Sequence, residues 1–185
     1  MDIIETELPG VMVLIPRRFG DERGWFSETW NARTLAHHGI TTAFVQDNQS
    51  FSAEAGTLRG LHYQAPPHAQ AKLVRCLSGR ILDVAVDARA GSPTYGRWAA
   101  RELTAEGGEQ LLVPEGFLHG FLTLTPDAMV AYKCSDYYAP EADGAVRWDS
   151  VGIDWGLSGP PTLSLKDAEA PAFDAWESPF AWGEP

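Results

Sequence analysis

The run Leu58-Arg59-Gly60-Leu61-His62-Tyr63-Gln64 alternates apolar and polar side chains, the pattern of a β-strand with two unlike faces. On a regular strand residues 60, 62 and 64 share one face. His62 and Arg59 then point apart unless a bulge or a strand end brings them into one pocket. Lys72 follows ten residues after His62 and opens a second strand-like run, Lys72 to Leu77, which Ser78-Gly79 closes as a tight turn. A third run, Pro114-Glu115-Gly116-Phe117-Leu118-His119-Gly120, carries another histidine just after a Pro-x-Gly turn, and Tyr132 comes in the apolar stretch beyond it. A guanidinium, an imidazole, an ammonium and a phenol thus fall on what read as neighbouring strands. They supply an anion clamp, a base, a cation to hold an enolate and an acid, the groups needed to move a proton on the carbon beside a ketone.

Working outward, further strands are expected at Val11 to Ile15, Gly24 to Trp30, Phe44 to Phe51, Ile81 to Asp87, Arg97 to Leu103, Gln110 to Val113, Gly116 to Leu124 and Met129 to Tyr137. In Ile81 to Asp87 the residues Leu82, Val84 and Val86 share one face, and Asp83, Ala85 and Asp87 the other. Asn31 reads as the N-cap of a short helix from Ala32 to His38, closed by Gly39. Turns recur about every 8 to 12 residues, which predicts an all-β sandwich or barrel and argues against a doubly wound sheet. From Asp149 the periodicity fades into Gly, Pro, Trp and short polar stretches. Residues 149–185 therefore read as a tail packing across the barrel, and residues 1–185 as one domain, the expectation for this length.

The net charge of -11 argues against general nucleic-acid binding. A few placed Arg and Lys can still hold one anionic small molecule. Only three lysines occur, Lys72, Lys133 and Lys166. Cys76 and Cys134 lie in apparent strands and in no metal or redox spacing, as buried apolar residues in a reducing compartment do. No signal peptide and no apolar run of the ~18 residues a membrane span needs is visible, so a cytoplasmic protein without membrane contact is expected.

Several residues have both a plain and a chemical reading. An inward Lys72 needs a reason, because burying an ammonium is costly. His119 suits a structural role in its turn as well as a binding role, and Tyr132 a core position as well as that of an acid. His37, His38 and His68 read as solvated surface. Asp167 is either half of an exposed Lys166-Asp167 pair or the carboxylate that orients a histidine. Gln46-Asp47-Asn48 hydrogen-bonds turns or, facing a cleft, recognises a base or sugar. Arg23 sits in an expected turn, Asp21-Glu22-Arg23-Gly24.

Taken in order, Phe19-Gly20-Asp21-Glu22-Arg23-Gly24, Gln46-Asp47-Asn48-Gln49-Ser50, Leu58-Arg59-Gly60-Leu61-His62, Lys72-Leu73-Val74, Asp83-Val84-Ala85-Val86-Asp87, Pro114 through Phe121 and Leu163-Ser164-Leu165-Lys166-Asp167 resemble the dTDP-4-dehydrorhamnose 3,5-epimerases. These are cupin-type enzymes of deoxysugar biosynthesis, and the likeness runs from about Phe19 to Asp167. It implies a cupin-type jelly roll with a few short peripheral helices. By position it implies His62 as the base, Asp167 as its carboxylate partner, Tyr132 as the acid on the opposite face of the sugar and Lys72 beside the C4 oxygen. Arg23, Glu28, Gln46, Asp47, Asn48, Arg59, His119 and Lys166 match nucleotide-sugar contacts. Phe26 and Tyr138 suit stacking on thymine. Where the family carries Glu, this chain has Asp143, whose shorter side chain accepts the same hydrogen bond directly or through water.

The implied reaction inverts C3 and C5 of dTDP-4-dehydro-6-deoxy-D-glucose through an enolate, with no cofactor. The implied assembly is a homodimer that exchanges N-terminal strands, with Arg23 and Phe26 coming from the partner. Gly56-x5-His62-x-Gln64, Lys72-x6-Gly79 and Pro114-x-Gly116-x2-His119 also follow the cupin metal motifs. Gln64 stands where a metal cupin has His, however, and Lys72 where it has Glu. An amide is a poor ligand for transition metals and an ammonium repels a cation, so no metal is expected. The competing readings are a metal-dependent cupin oxygenase or isomerase, a non-catalytic sugar-binding cupin, and an epimerase acting at C3 or C5 alone.

Overall fold

A computed structural model describes residues 1–183. Two sheets face each other. The six-stranded sheet has the order β1-β2-β10-β7-β12-β5 and the five-stranded sheet β13-β6-β11-β8-β9. The strands are β1 (Asp2–Glu5), β2 (Met12–Ile15), β5 (Gln46–Ser52), β6 (Leu58–Gln64), β7 (Lys72–Ser78), β8 (Arg80–Asp87), β9 (Trp98–Thr104), β10 (Gln110–Val113), β11 (Phe117–Thr123), β12 (Ala128–Cys134) and β13 (Asp143–Ala145). A separate hairpin pairs β3 (Arg18–Asp21) with β4 (Gly24–Ser27). The sheets keep free edges, so the all-β expectation resolves as an open jelly-roll sandwich and not a closed barrel.

Each strand follows its own hydrophobic period. Ile81 and Ala85 of β8, Phe117 and Phe121 of β11, Val74 and Cys76 of β7, and Val130 of β12 turn inward and form the core between the sheets. Leu82, Val84 and Val86, one residue out of phase on β8, face outward. Both outer faces are covered in part. Leu14, Leu73 and Leu112 of the six-stranded sheet pack against Leu35 of α1 (Ala32–Ala36) and against Ile40. Asn31 caps α1 by accepting from the Thr34 N–H, as expected.

The outer face of the five-stranded sheet is covered by the chain after Asp149. Trp155 and Phe180 are buried against Leu58, Val84, Leu118 and Leu122. Bridges Thr57↔Thr162 and Ala90↔Ala181 stitch the same segment to the sheet. It carries a short helix, α2 (Leu165–Ala168).

One irregularity decides the site. On β11, His119 pairs with His62 of β6, but Phe121 pairs with Arg59, so β6 carries one extra residue between the pairs. That bulge turns both Arg59 and His62 inward. It is centred on Gly60, whose φ of +134° a side chain rarely adopts and whose Cβ, if present, would lie 2.6 Å from the Gly120 Cα.

Candidate active site

Between the sheets lies a cavity of about 380 Å³. Arg59 and His62 reach it from β6, His119 and Phe121 from β11, Lys72 from β7, Tyr132 from β12 and Ser50 from β5. Lys166 and Asp167 enter from α2. The base, the cation and the phenol read from the sequence are therefore brought together, from both sheets.

His62 Nε2 is 2.5 Å from Asp167 Oδ1. The Asp167 side chain is only 3% exposed, so the reading of an exposed charge pair with Lys166 is overturned. Ser164 caps α2 by accepting from the Asp167 N–H, which fixes the carboxylate. Burial works to raise the Asp167 pKa, but the hydrogen bond and charge of His62, with help from Ser164, prevail and hold it below the ordinary value. A buried carboxylate that stays ionised beside an imidazole fixes its orientation and stabilises the imidazolium.

Lys72 sits mid-sheet, paired in register with Val113 of β10 and Cys134 of β12. Burial pushes its ammonium pKa down, while Cys134, Asp143 and Asp83 work to raise it. Its Nζ lies 6.0 Å from the centre of the Tyr132 ring. Burial raises the Tyr132 pKa, against a hydrogen bond from Asn48 and the charge of Arg59, so the phenol keeps its proton at neutral pH. Arg59 is held by Ser52 and the Phe51 carbonyl on β5.

His119 belongs to β11 itself. Its Nε2 lies 2.8 Å from Asp83 Oδ1, and Asp83 is fully buried. Asp83 and Ser50 were not singled out from the sequence. The signal for Asp83 was there, an acid in the middle of the otherwise apolar run Ile81 to Val86. Among the described residues, Asp83 Oδ2 and Ser50 Oγ are the buried side-chain polar atoms without a hydrogen-bond partner.

The family model for dTDP-4-dehydrorhamnose 3,5-epimerase matches residues 5–175. The chain belongs to this epimerase family. It is 48% identical over 177 residues to the dTDP-4-dehydrorhamnose 3,5-epimerase of Salmonella typhimurium, covering 94% of this chain and 96% of that one. The crystal structure of a dTDP-6-deoxy-D-glucose-3,5-epimerase from Legionella pneumophila Philadelphia 1, in complex with dTDP-4-keto-L-rhamnose, superimposes with a TM-score of 0.94 at 41% identity. It covers 100% of this chain and 99% of that one. The Bacillus anthracis dTDP-4-dehydrorhamnose 3,5-epimerase, with TDP and PPi bound, gives a TM-score of 0.90 at 46% identity over 93% and 99% of the two chains.

This member of the dTDP-4-dehydrorhamnose 3,5-epimerases is thus an isomerase with a jelly-roll scaffold. The remaining residues implied by the family likeness divide by place. Asn48 turns inward beside Tyr132, whereas Asp47, one residue before it, faces out and pairs with Lys133 at 2.8 Å. Asp47 lines a different cavity, with Arg75 and Gln110, so the fold of one chain does not bring it to the His62 pocket.

Asp143 accepts from Lys166, which lines the cavity, at 2.5 Å and from the Tyr138 hydroxyl at 3.3 Å. Gln46 accepts from the Tyr138 N–H. Arg23, Phe26 and Glu28 lie outside the cavity. Arg23 is 85% exposed and pairs with Asp21, Phe26 is 70% exposed, and Glu28 accepts from Asn31. His68, read as solvated surface, keeps 42% of its side chain exposed and pairs there with Asp136 at 3.0 Å.

The donor set does not suit a metal. Among the described residues no three His, Cys, Asp or Glu side chains converge as ligands. Gln64 and Lys72 hold two of the positions where metal cupins place donors.

Proposed function

We propose that the protein inverts C3 and C5 of dTDP-4-dehydro-6-deoxy-D-glucose, giving dTDP-4-dehydro-L-rhamnose for dTDP-L-rhamnose biosynthesis. The observation that carries this reading is the confluence of the His62–Asp167 pair, Lys72 and Tyr132 in one cavity. His62 takes the proton from the carbon beside the ketone, and the electron pair moves to the C4 oxygen. Lys72 binds that oxygen more tightly as an enolate than as a ketone, and this difference lowers the barrier. Tyr132 returns a proton from the other face. His62, about one-third exposed at 31%, then releases its proton to water and the Tyr132 phenolate takes one up, which resets the site.

Arg59, Lys166 and His119 line the same cavity and suit an anionic nucleotide sugar. Asn48 bonds the lining residue Tyr132 and is itself held by Gln46, Asp143 pairs with the lining residue Lys166, and Tyr138 and Phe26 offer aromatic faces for thymine. No cofactor is required, because the reaction has no redox step. A homodimer exchanging N-terminal strands accounts for Phe19, Trp25 and Phe26, which are exposed on the β3–β4 hairpin. It would let a partner supply Arg23, Phe26 and Glu28. Two buried free cysteines fit a cytoplasmic enzyme.

The test is turnover in deuterated water, followed by NMR of the sugar. Deuterium is expected at both C3 and C5. His62→Ala should abolish exchange, and Tyr132→Phe should impair inversion more than proton removal. Exchange undiminished in His62→Ala removes the base assignment, and label at one carbon alone makes the enzyme a single-site epimerase.

A further inference from the structure

Tyr138 stands on a stretch without regular structure, yet its site role demands a fixed position. Its side chain is 58% exposed, so packing does not hold it. Its backbone is held by side chains instead. The Tyr138 N–H donates to Gln46 Oε1 at 3.0 Å. On either side, Gln64 Nε2 donates to the Tyr137 carbonyl at 3.0 Å, and the Ala139 N–H donates to Gln64 Oε1 at 2.9 Å. The second Nε2 proton goes to the His68 carbonyl, 2.5 Å away. Gln64 is only 5% exposed, and its amide is used in both directions, donor to two loops and acceptor from one.

Few side chains can do this. A histidine offers one nitrogen to each side and cannot hold three backbone groups. A carboxylate turns an oxygen toward two carbonyls. The loop carrying Tyr138 is further tied to the loop before β7 by His68–Asp136 at 3.0 Å and by Gln70 Nε2 donating to the Asp136 carbonyl at 2.8 Å. It also communicates with the acid. Gln46 donates to Asn48 Oδ1 at 3.0 Å, and Asn48 hydrogen-bonds Tyr132.

We propose that Gln64 is a positioning residue. The amide that replaces the metal-cupin histidine clamps the 137–139 segment, and so sets Tyr138 at the cavity mouth for the nucleotide end of the substrate. This rests on the epimerase reading above. It predicts a defect in binding rather than in proton transfer, because the Gln64 amide bonds the backbone of residues 68, 137 and 139 and not His62 or Lys72, and Gln64 does not line their cavity.

Gln64→Met keeps length and apolar packing but frees the Tyr137 carbonyl and the Ala139 N–H. Gln64→Glu keeps the acceptor and loses the donors. Each is expected to raise KM, and the Kd for dTDP alone, about tenfold, with kcat within about threefold of wild type. In a Tyr138→Ala background the same changes should add less than about twofold, since the residue they act through is gone.

Full additivity of Gln64→Met and Tyr138→Ala, an unchanged dTDP affinity, or a fall in kcat at constant KM each overturns the clamp. So does the failure of both variants to fold, which would make Gln64 a general structural residue. A wild-type enzyme that binds dTDP but does not epimerise would instead remove the functional reading itself, so the two failures are separable.

Discussion

At the scale of single residues, the proposed reaction rests on two buried charges, and they differ in what they do to the fold. Asp167 is compensated, because His62 and Ser164 satisfy it. Asp167→Asn leaves the shape but no longer stabilises an imidazolium, so kcat should fall by about 10²-fold or more, with KM little changed, in steady-state assays. Its folded pKa lies below the ordinary 3.8. The ionised form therefore adds stability above 3.8, and this is lost as pH falls through the lower folded value. Asp167→Asn should flatten that acid limb in denaturation curves.

Lys72 is the opposite case. Burial lowers its pKa from 10.5, so below its folded pKa the fold bears the full cost of a desolvated ammonium. Lys72→Met should cut kcat by about 10²- to 10³-fold. It should also raise stability by about 1 to 2 kcal/mol at neutral pH. The unfolded chain holds its lysine proton up to 10.5, so wild-type stability climbs with pH from the folded value toward that point, and the gain of the variant should shrink across the same window. Equal stability of the two proteins at neutral pH would mean that the ammonium is well solvated. Of these residues, composition and pattern alone marked Lys72 as odd, whereas pairing Asp167 with His62, 105 residues away, needed the family likeness or the coordinates.

At the scale of elements, the bulge in β6 does most to build the site. Without it, strand parity would send Arg59 and His62 to opposite faces. Gly60→Ala would place a methyl 2.6 Å from the Gly120 Cα and 2.9 Å from the His119 carbonyl oxygen, on backbone conformations that cannot retreat separately. A loss of at least about 2 kcal/mol in chemical denaturation is expected. What remains folded should lose activity through a displaced His62. A variant with wild-type stability would show that the bulge relaxes freely.

The long strands were legible in the sequence because their apolar residues repeat with period two and glycine or proline turns bound them. Gln110–Val113 matches its expected span, and β7 and β8 match theirs to within a residue. The bulge was legible only as a condition, since a one-residue slip leaves the composition of the strand unchanged. The short β1, β3 and β13 were not read. Each spans three or four residues and takes its strand character from a partner strand rather than from its own alternation. Asp83 escaped for a related reason, because its partner His119 stands 36 residues on and only register brings them together.

At the scale of the whole molecule, one chain brings together the proposed base, enolate cation and acid, but leaves Arg23, Phe26 and Glu28 outside the cavity. A hairpin that exposes Phe19, Trp25 and Phe26 together is a costly surface for a monomer. Both facts are met if the arm of each subunit crosses to the body of the other in a two-fold dimer, where each exchange is matched by its reciprocal. The proposal has a consequence that no cis arrangement shares. A subunit with His62→Ala keeps its arm and loses its base, whereas one with Arg23→Glu keeps its base and loses its arm. Each homodimer should be inactive or nearly so. Co-expressed with separate affinity tags and purified as the heterodimer, the pair forms one site with an intact base and an intact arm, and one site with neither. The heterodimer should therefore recover about half the wild-type kcat, and a random mixture about a quarter. If the arms served their own bodies, every site in the heterodimer would carry one lesion, and its activity would stay at the mean of the two parents.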